Sequence, residues 1–139
     1  MDRELEYRKR IAAIHGLDGQ EVDDQDPIDI RHAEFQAMTD VFLGEDYDQA
    51  KLGEIEKLQI VLHQRQTELY KNYEAQKIGP KAYVDSVNGL IGTTFREMEA
   101  ILGQADFEAL FGMRHPQMTC MINKKRFLRD HRERMRQVQ

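Results

Sequence analysis

Apolar residues recur along this chain at intervals of three and four positions, the spacing of one face of an α-helix. The spacing first appears at Tyr7, Ile11 and Ile14, which predict a helix over residues 3–15. Gly16 follows at once, and glycine is the residue type that most often ends a helix.

The second helix has the clearest start signal in the chain. Asp26 can cap it, Pro27 fits the first helical position, and Asp29 falls in the first turn,. Its predicted apolar face consists of Ile30, Phe35, Met38, Val41 and Phe42. Gly44 is expected to end it.

The third predicted helix is the longest and covers residues 47–77. Arg65 and Gln66 interrupt its apolar stripe, so we expect a partly polar seam. The stripe itself consists of Ile55, Leu58, Leu62, Leu69 and Tyr73,.

Gly79–Pro80 breaks the helical pattern, and Pro80 is suited to begin a fourth helix that ends before Gly103,. So short a break predicts an antiparallel helical hairpin over about 47–102. Gly89 and Gly92 lie inside the fourth helix, each at a cost of about 1 kcal/mol relative to Ala. A neighbouring segment packed closely against these glycines would offset that cost. Without one, a kink in the fourth helix is expected.

Two shorter helices are predicted after the hairpin. One has Phe107, Leu110 and Phe111 on a single face and stops at Gly112. Residues 113–122 then form a connector that Pro116 keeps from being helical throughout. A final helix over 124–137 starts at Asn123, a capping residue, and presents Phe127, Leu128, Met135 and Val138 on one side,.

No segment alternates apolar and polar residues over more than a few positions, so no strand is expected. The sequence therefore predicts an all-α fold in a single domain, 1–139. It would contain an antiparallel hairpin within a bundle of four main helices, plus two shorter ones. A chain of 139 residues can bury such a core without disulfides, and its one cysteine excludes an internal disulfide,.

Charge is distributed unevenly along the chain. Residues 123–139 hold seven basic and two acidic residues, whereas the other 122 residues carry a net charge of −10. An acidic loop, 17–26, adds to that excess. The acidic body argues against nucleic-acid binding and leaves only the basic tail, 124–136, for it. That tail could also meet an acidic partner, or dock on its own chain through its apolar side.

The N-terminus has no apolar run of the kind found in leader peptides, and no apolar run approaches 18 residues,. We therefore expect no membrane insertion and a cytoplasmic protein.

Residues 113–126 read MRHPQMTCMINKKR and hold five potential soft-metal ligands, Met113, His115, Met118, Cys120 and Met121, of which the last four are the predicted metal site,. Residues 118–120 resemble the start of the MTCxxC loop of the heavy-metal-associated copper chaperones. Asn123 stands where that loop has its second cysteine, and the strands of that fold are missing. Packing is the commoner use of such methionines, and metal binding is the alternative.

Catalytic signals are absent from the sequence. The acidic loop fails the EF-hand spacing, and neither an HExxH pair, a G-x-S-x-G turn nor a Gly-rich phosphate loop occurs,. We therefore expect no enzymatic activity and no cofactor.

The leading hypothesis is a non-enzymatic helical interaction or regulatory domain that forms a homodimer or binds a protein partner. Its predicted interaction residues are Arg65, Gln66, Phe127, Leu128, Arg129, Arg132 and Met135. A sensor of a small ligand or a soft metal, which would use the cluster in residues 113–121, is the alternative.

Overall fold

Residues 2–14 and 27–138 are described in the computed structural model of the chain. They form α1 (Arg3–Ile14), α2 (Pro27–Phe42), α3 (Gln49–Glu74), α4 (Pro80–Leu102), α5 (Gln104–Phe111), the single turn α6 (Gln117–Cys120) and α7 (Lys124–Val138). No strand occurs within these two ranges. The predicted all-α class is confirmed.

The centre of the fold is the hairpin of α3 and α4, which run antiparallel and pack along their length. At the end where α3 begins, α2 packs on α3 and α5, and α1 packs on α2. At the other end, where α3 and α4 are joined, α7 lies against α4. The two ends of the hairpin are therefore covered by different parts of the chain.

The helix α3 is shorter than predicted because both of its ends are closed by specific bonds. At its start, the Asp48 carboxylate accepts a hydrogen bond from the Ala50 N–H at 3.0 Å,. At its end, Gln76 has a φ of +60°, and the Lys77 N–H donates to the Asn72 carbonyl at 2.8 Å. This is the Schellman arrangement, with a glutamine where glycine is usual.

The other predicted boundaries that fall in the described residues agree closely with the structure. Pro80 is the first residue of α4, and Gly103 and Gly112 end α4 and α5 with φ values of +83° and +74°. Positive φ explains why glycine stands at both sites. Pro27 begins α2 as expected. The predicted caps Gly16 and Asp26 and the acidic loop lie outside the described residues.

The buried core is supplied chiefly by α4. Val84, Ile91 and Met98 are almost completely buried, together with Ile55 of α3 and Phe107 of α5. Where α4 ends and α5 follows, the Phe95 ring packs edge-to-face on Phe107 and Phe111, and those two rings are tilted against each other, with centroids 4.8 to 6.2 Å apart.

A polar contact joins α5 to the turn between α2 and α3. The Tyr47 hydroxyl donates a hydrogen bond to the Asp106 carboxylate at 2.8 Å. Burial, together with this bond, raises the pKa of Tyr47 to about 12,.

The two glycines inside α4 have different surroundings. A Cβ built on Gly92 would lie 3.3 Å from the Met121 terminal methyl group, whereas one on Gly89 would have nothing within 4 Å. Gly92 therefore leaves space for Met121 of the connector. This is the closely packed neighbour expected at a glycine inside α4. Gly89 has no such contact, yet α4 continues through it without interruption.

Gly89→Ala is expected to raise the free energy of unfolding by about 1 kcal/mol, because Ala loses less backbone entropy in a helix. Gly92→Ala gains the same propensity but must displace the Met121 side chain, so its net gain should be smaller. Urea denaturation of the two variants side by side measures the difference. Equal stabilisation would show that Met121 does not need the space at Gly92.

Candidate interaction surfaces

The basic helix α7 is docked on the hairpin by an aromatic cluster. The Phe127 ring lies 5.4 Å, between centroids, from the rings of both Tyr73 and Tyr83. Those two tyrosines are themselves stacked at 4.9 Å. Burial, with Tyr73 close by, raises the pKa of Tyr83. Phe127 was predicted as an interaction residue, and its described contacts lie within its own chain.

Polar contacts fix the rest of α7. The Tyr73 hydroxyl forms a short hydrogen bond with the His131 ring and accepts another from Arg134 at 3.1 Å. Lys124 forms an ion pair with Asp85 at 2.8 Å. The first residue of α7 and its residues His131 and Arg134 are therefore tied to the hairpin.

The connector is held by a residue that the sequence did not single out. The Asn88 amide donates to the Ile122 carbonyl at 3.0 Å, and its oxygen accepts from the Ile122 N–H at 2.8 Å. The Asn123 side chain then accepts from the Arg126 N–H and begins α7, which confirms the predicted cap,. The start of α7 is thus set by one residue of α4.

The outward side of α7 is strongly basic. Arg129 and Arg132, both predicted interaction residues, are exposed, and so is Met135 with 42% of its surface accessible. Leu128 is half-buried. The predicted interaction residues of α7 therefore form two groups. Some dock the helix on the hairpin, and the others face outward.

The potential soft ligands do not all point the same way. His115, Met118 and Cys120 are exposed, Met118 to 74%. Met121 instead packs on the core at Gly92. Cys120 lies at the edge of a shallow groove that also contains His63 and Tyr70. Among the described residues, no three or more His, Cys, Asp or Glu side chains are grouped to hold a metal ion. Metal binding through the Met and Cys sulfurs stays a prediction.

The outer face of α3 exposes apolar side chains at its midpoint. Ile60 and Val61 are 42% and 40% accessible and lie halfway between Gln49 and Glu74. Arg65, one turn further along, is exposed, and Gln66 is half-buried beside the groove near Cys120. The sequence identified the polar break at these two residues but missed the apolar pair before it. Ile60 and Val61 lie outside the apolar stripe by which α3 packs on the core. That position was the signal in the sequence that could have identified them as exposed.

A deeper groove of about 360 Å³ borders Ile60 and lies among α1, α2 and α3. Its apolar lining comes from Tyr7, Phe35 and Met38, and a hydrogen-bonded His32–Glu56 pair lies at its side. Burial, and next the charge of Glu34, raises the pKa of Tyr7, which keeps its hydroxyl protonated,. The groove therefore extends the apolar surface of α3.

The described helices include none with the length and apolar character needed to cross a bilayer. Comparison with known proteins gives no relative: no family model, curated protein or solved structure matches the chain. Its function therefore has to be argued from its own surfaces.

Proposed function

We propose that the chain is a non-enzymatic helical interaction domain that associates with a second copy of itself. The observation that carries the proposal is the exposed pair Ile60 and Val61 at the centre of α3, beside an apolar groove. Covering such side chains removes apolar surface from water, which stabilises association by about 25 cal/mol per Å².

The rigidity of the hairpin also supports this role. A helix of 26 residues extends about 39 Å, and α3 is backed along its length by α4,. A face that is already ordered loses little conformational entropy when it binds, so a small apolar area contributes more to affinity.

The test is the mass of the purified chain in solution, measured by size exclusion with light scattering over a range of concentrations. We expect two chains at high concentration. The double variant Ile60→Ser with Val61→Ser should weaken association by about tenfold or more.

Met118→Ser is the matched control, because it removes a more exposed apolar side chain from α6, away from the outer face of α3. It should leave association unchanged. A wild-type mass of one chain at every concentration up to about 1 mM would reject the proposal.

A further inference from the structure

The seven basic residues of α7 are divided between its two sides. Lys124 and Arg134 bond to the hairpin, at Asp85 and at the Tyr73 hydroxyl. Four of the others are exposed and follow one another at intervals of four, three and four residues: Lys125, Arg129, Arg132 and Arg136. At about 100° per residue these four lie within an arc of about 60°. They therefore form one line along the helix, which we call the basic stripe.

The basic stripe faces away from the hairpin. The residues that dock α7 lie on the opposite side of the helix axis, namely Phe127, His131 and Arg134. Among the described residues, the one ion pair of the stripe joins Arg129 to its neighbour Asp130 at 3.8 Å. Glu133 borders the stripe and is exposed. The exposed charged residues of α7 other than Arg134 are five basic and two acidic, so this side carries +3.

The stripe belongs to the basic half of the molecule. Residues 62–90 and 115–138, which include α7 and the joined ends of the hairpin, hold 11 basic and 5 acidic residues, a charge of +6. Residues 2–14, 32–61 and 91–114 hold 8 basic and 14 acidic residues, a charge of −6. The acidic excess within these ranges therefore lies in the half that does not contain α7. The field of the basic half attracts a polyanion to the stripe.

We infer that the basic stripe binds the phosphate backbone of a double-stranded nucleic acid, without preference for base sequence. The inference goes beyond the proposed self-association and uses none of the residues that carry it. Lys125 and Arg136 are eleven residues apart, so the stripe is about 16 Å long,. A duplex carries one negative charge per about 1.7 Å of its axis, so phosphates are available at every level of the stripe.

The residue types of α7 also favour the backbone over the bases. Three of the four cations are arginines, whose planar guanidinium groups can donate two parallel hydrogen bonds to a phosphate,. Stacking on bases would need an exposed aromatic ring. The phenylalanine of α7, Phe127, packs on Tyr73 and Tyr83 instead.

Two other anionic partners fit the stripe less well. A helix at a lipid surface buries its apolar side among the lipids, whereas the apolar side of α7 is docked on the hairpin through Phe127,. An acidic helix would need carboxylates at the same four levels as the stripe. A phosphate backbone meets the stripe in any register.

Fluorescence anisotropy of a labelled DNA duplex of about 20 base pairs tests the inference with the full chain. In about 50 mM NaCl, four phosphate contacts should give a Kd on the order of 10 µM. The logarithm of the association constant should fall against the logarithm of the salt concentration with a slope of about −3 to −4. A second duplex with a different base sequence should bind equally well.

Two double variants assign the binding to the stripe. Arg129→Gln with Arg132→Gln should weaken duplex binding by about tenfold or more and make the salt slope shallower by about 2. Arg8→Gln with Arg96→Gln is the matched control, because it removes the same charge from two exposed arginines in the acidic half. Its affinity should stay within about twofold of the wild type, since salt screens distant charges. Gln and Arg have similar helix propensities, so both variants should keep the wild-type circular dichroism.

Several results would contradict the inference. It is wrong if the duplex is not bound at chain concentrations up to about 200 µM, or if the two double variants weaken binding equally. It is also wrong if poly-glutamate, at equal charge, displaces the duplex as well as unlabelled DNA does. Binding to vesicles that contain phosphatidylserine, with none to the duplex, would show that the stripe is a lipid surface site instead.

The same variants keep this inference separate from self-association. Arg129→Gln with Arg132→Gln leaves Ile60 and Val61 unchanged, so its mass by light scattering should equal that of the wild type. A chain that self-associates but binds no duplex refutes the nucleic-acid site alone. Duplex binding that is steeply salt-dependent, lost with the stripe arginines and kept in the control would confirm the site, whatever the mass of the chain.

Discussion

Tyr73→Ala is expected to lower the free energy of unfolding by about 3–5 kcal/mol, the range for removing a buried aromatic ring. Tyr73 is 9% exposed and contacts Tyr83, Phe127 and His131 through its ring. Its hydroxyl also bonds to Arg134. The substitution therefore removes the centre of the α7 docking site as well as core volume.

Hydrogen exchange measures the second effect directly. The amides of α7 should exchange much faster in Tyr73→Ala, while those of α5, at the opposite end of the hairpin, keep more of their protection. Urea denaturation gives the change in stability. Tyr73→Phe removes only the hydroxyl, so it should cost about 1 kcal/mol and leave α7 docked.

Tyr70→Ala is the matched control, since Tyr70 lies on the same helix one turn earlier and is 45% exposed. Its ring contacts Tyr73 and Tyr83 only at 6.5 and 6.2 Å. We expect a loss of about 1 kcal/mol. Equal losses for Tyr70→Ala and Tyr73→Ala, with α7 still protected, would show that the cluster does not hold α7.

Asn88→Ala should have the next largest effect, a loss of about 2–3 kcal/mol. The substitution removes two hydrogen bonds and leaves the N–H and carbonyl of Ile122, which is half-buried, without their partners,. Thermal or urea denaturation measures the loss, and hydrogen exchange at Ile122 should rise with it.

Ser86→Ala is the control for Asn88, because Ser86 is an exposed polar residue two positions away on α4. It should change stability by less than about 0.5 kcal/mol. If Asn88→Ala is equally mild, water replaces the amide at Ile122 and the connector is held by other contacts.

Most of the fold could be predicted from the sequence because its signals are local. The apolar period located every described helix except the single turn α6, which lies in the predicted connector, and Pro80, Gly103, Gly112 and Asn123 marked boundaries that depend on backbone geometry at a single residue. The end of α3 was missed by three residues. Gln76 adopts a conformation that glycine usually adopts, and no sequence rule would place the stop there.

The interaction surfaces were predictable only in part, because they depend on contacts between distant residues. Asn88 and Ile122 are 34 positions apart, and nothing in the order of residues near Asn88 points to its partner. Phe127 and Arg129 were chosen together from one helix, yet Phe127 packs on Tyr73 while Arg129 faces outward. The placement of charge is equally hidden in the order of residues, since the position of the basic helix α7 beside the joined ends of α3 and α4 follows from contacts between distant residues.

The bond between Asn88 and Ile122 has a consequence for how this chain can change in length. Asn123 begins α7 immediately after the residue that Asn88 holds, so the two fix the rotational phase of that helix. One residue inserted between Ile122 and Asn123 would turn α7 by about 100° and carry Phe127 away from Tyr73. An insertion before Met118 would leave that phase untouched. Natural variation in length should therefore collect on the N-terminal side of Ile122.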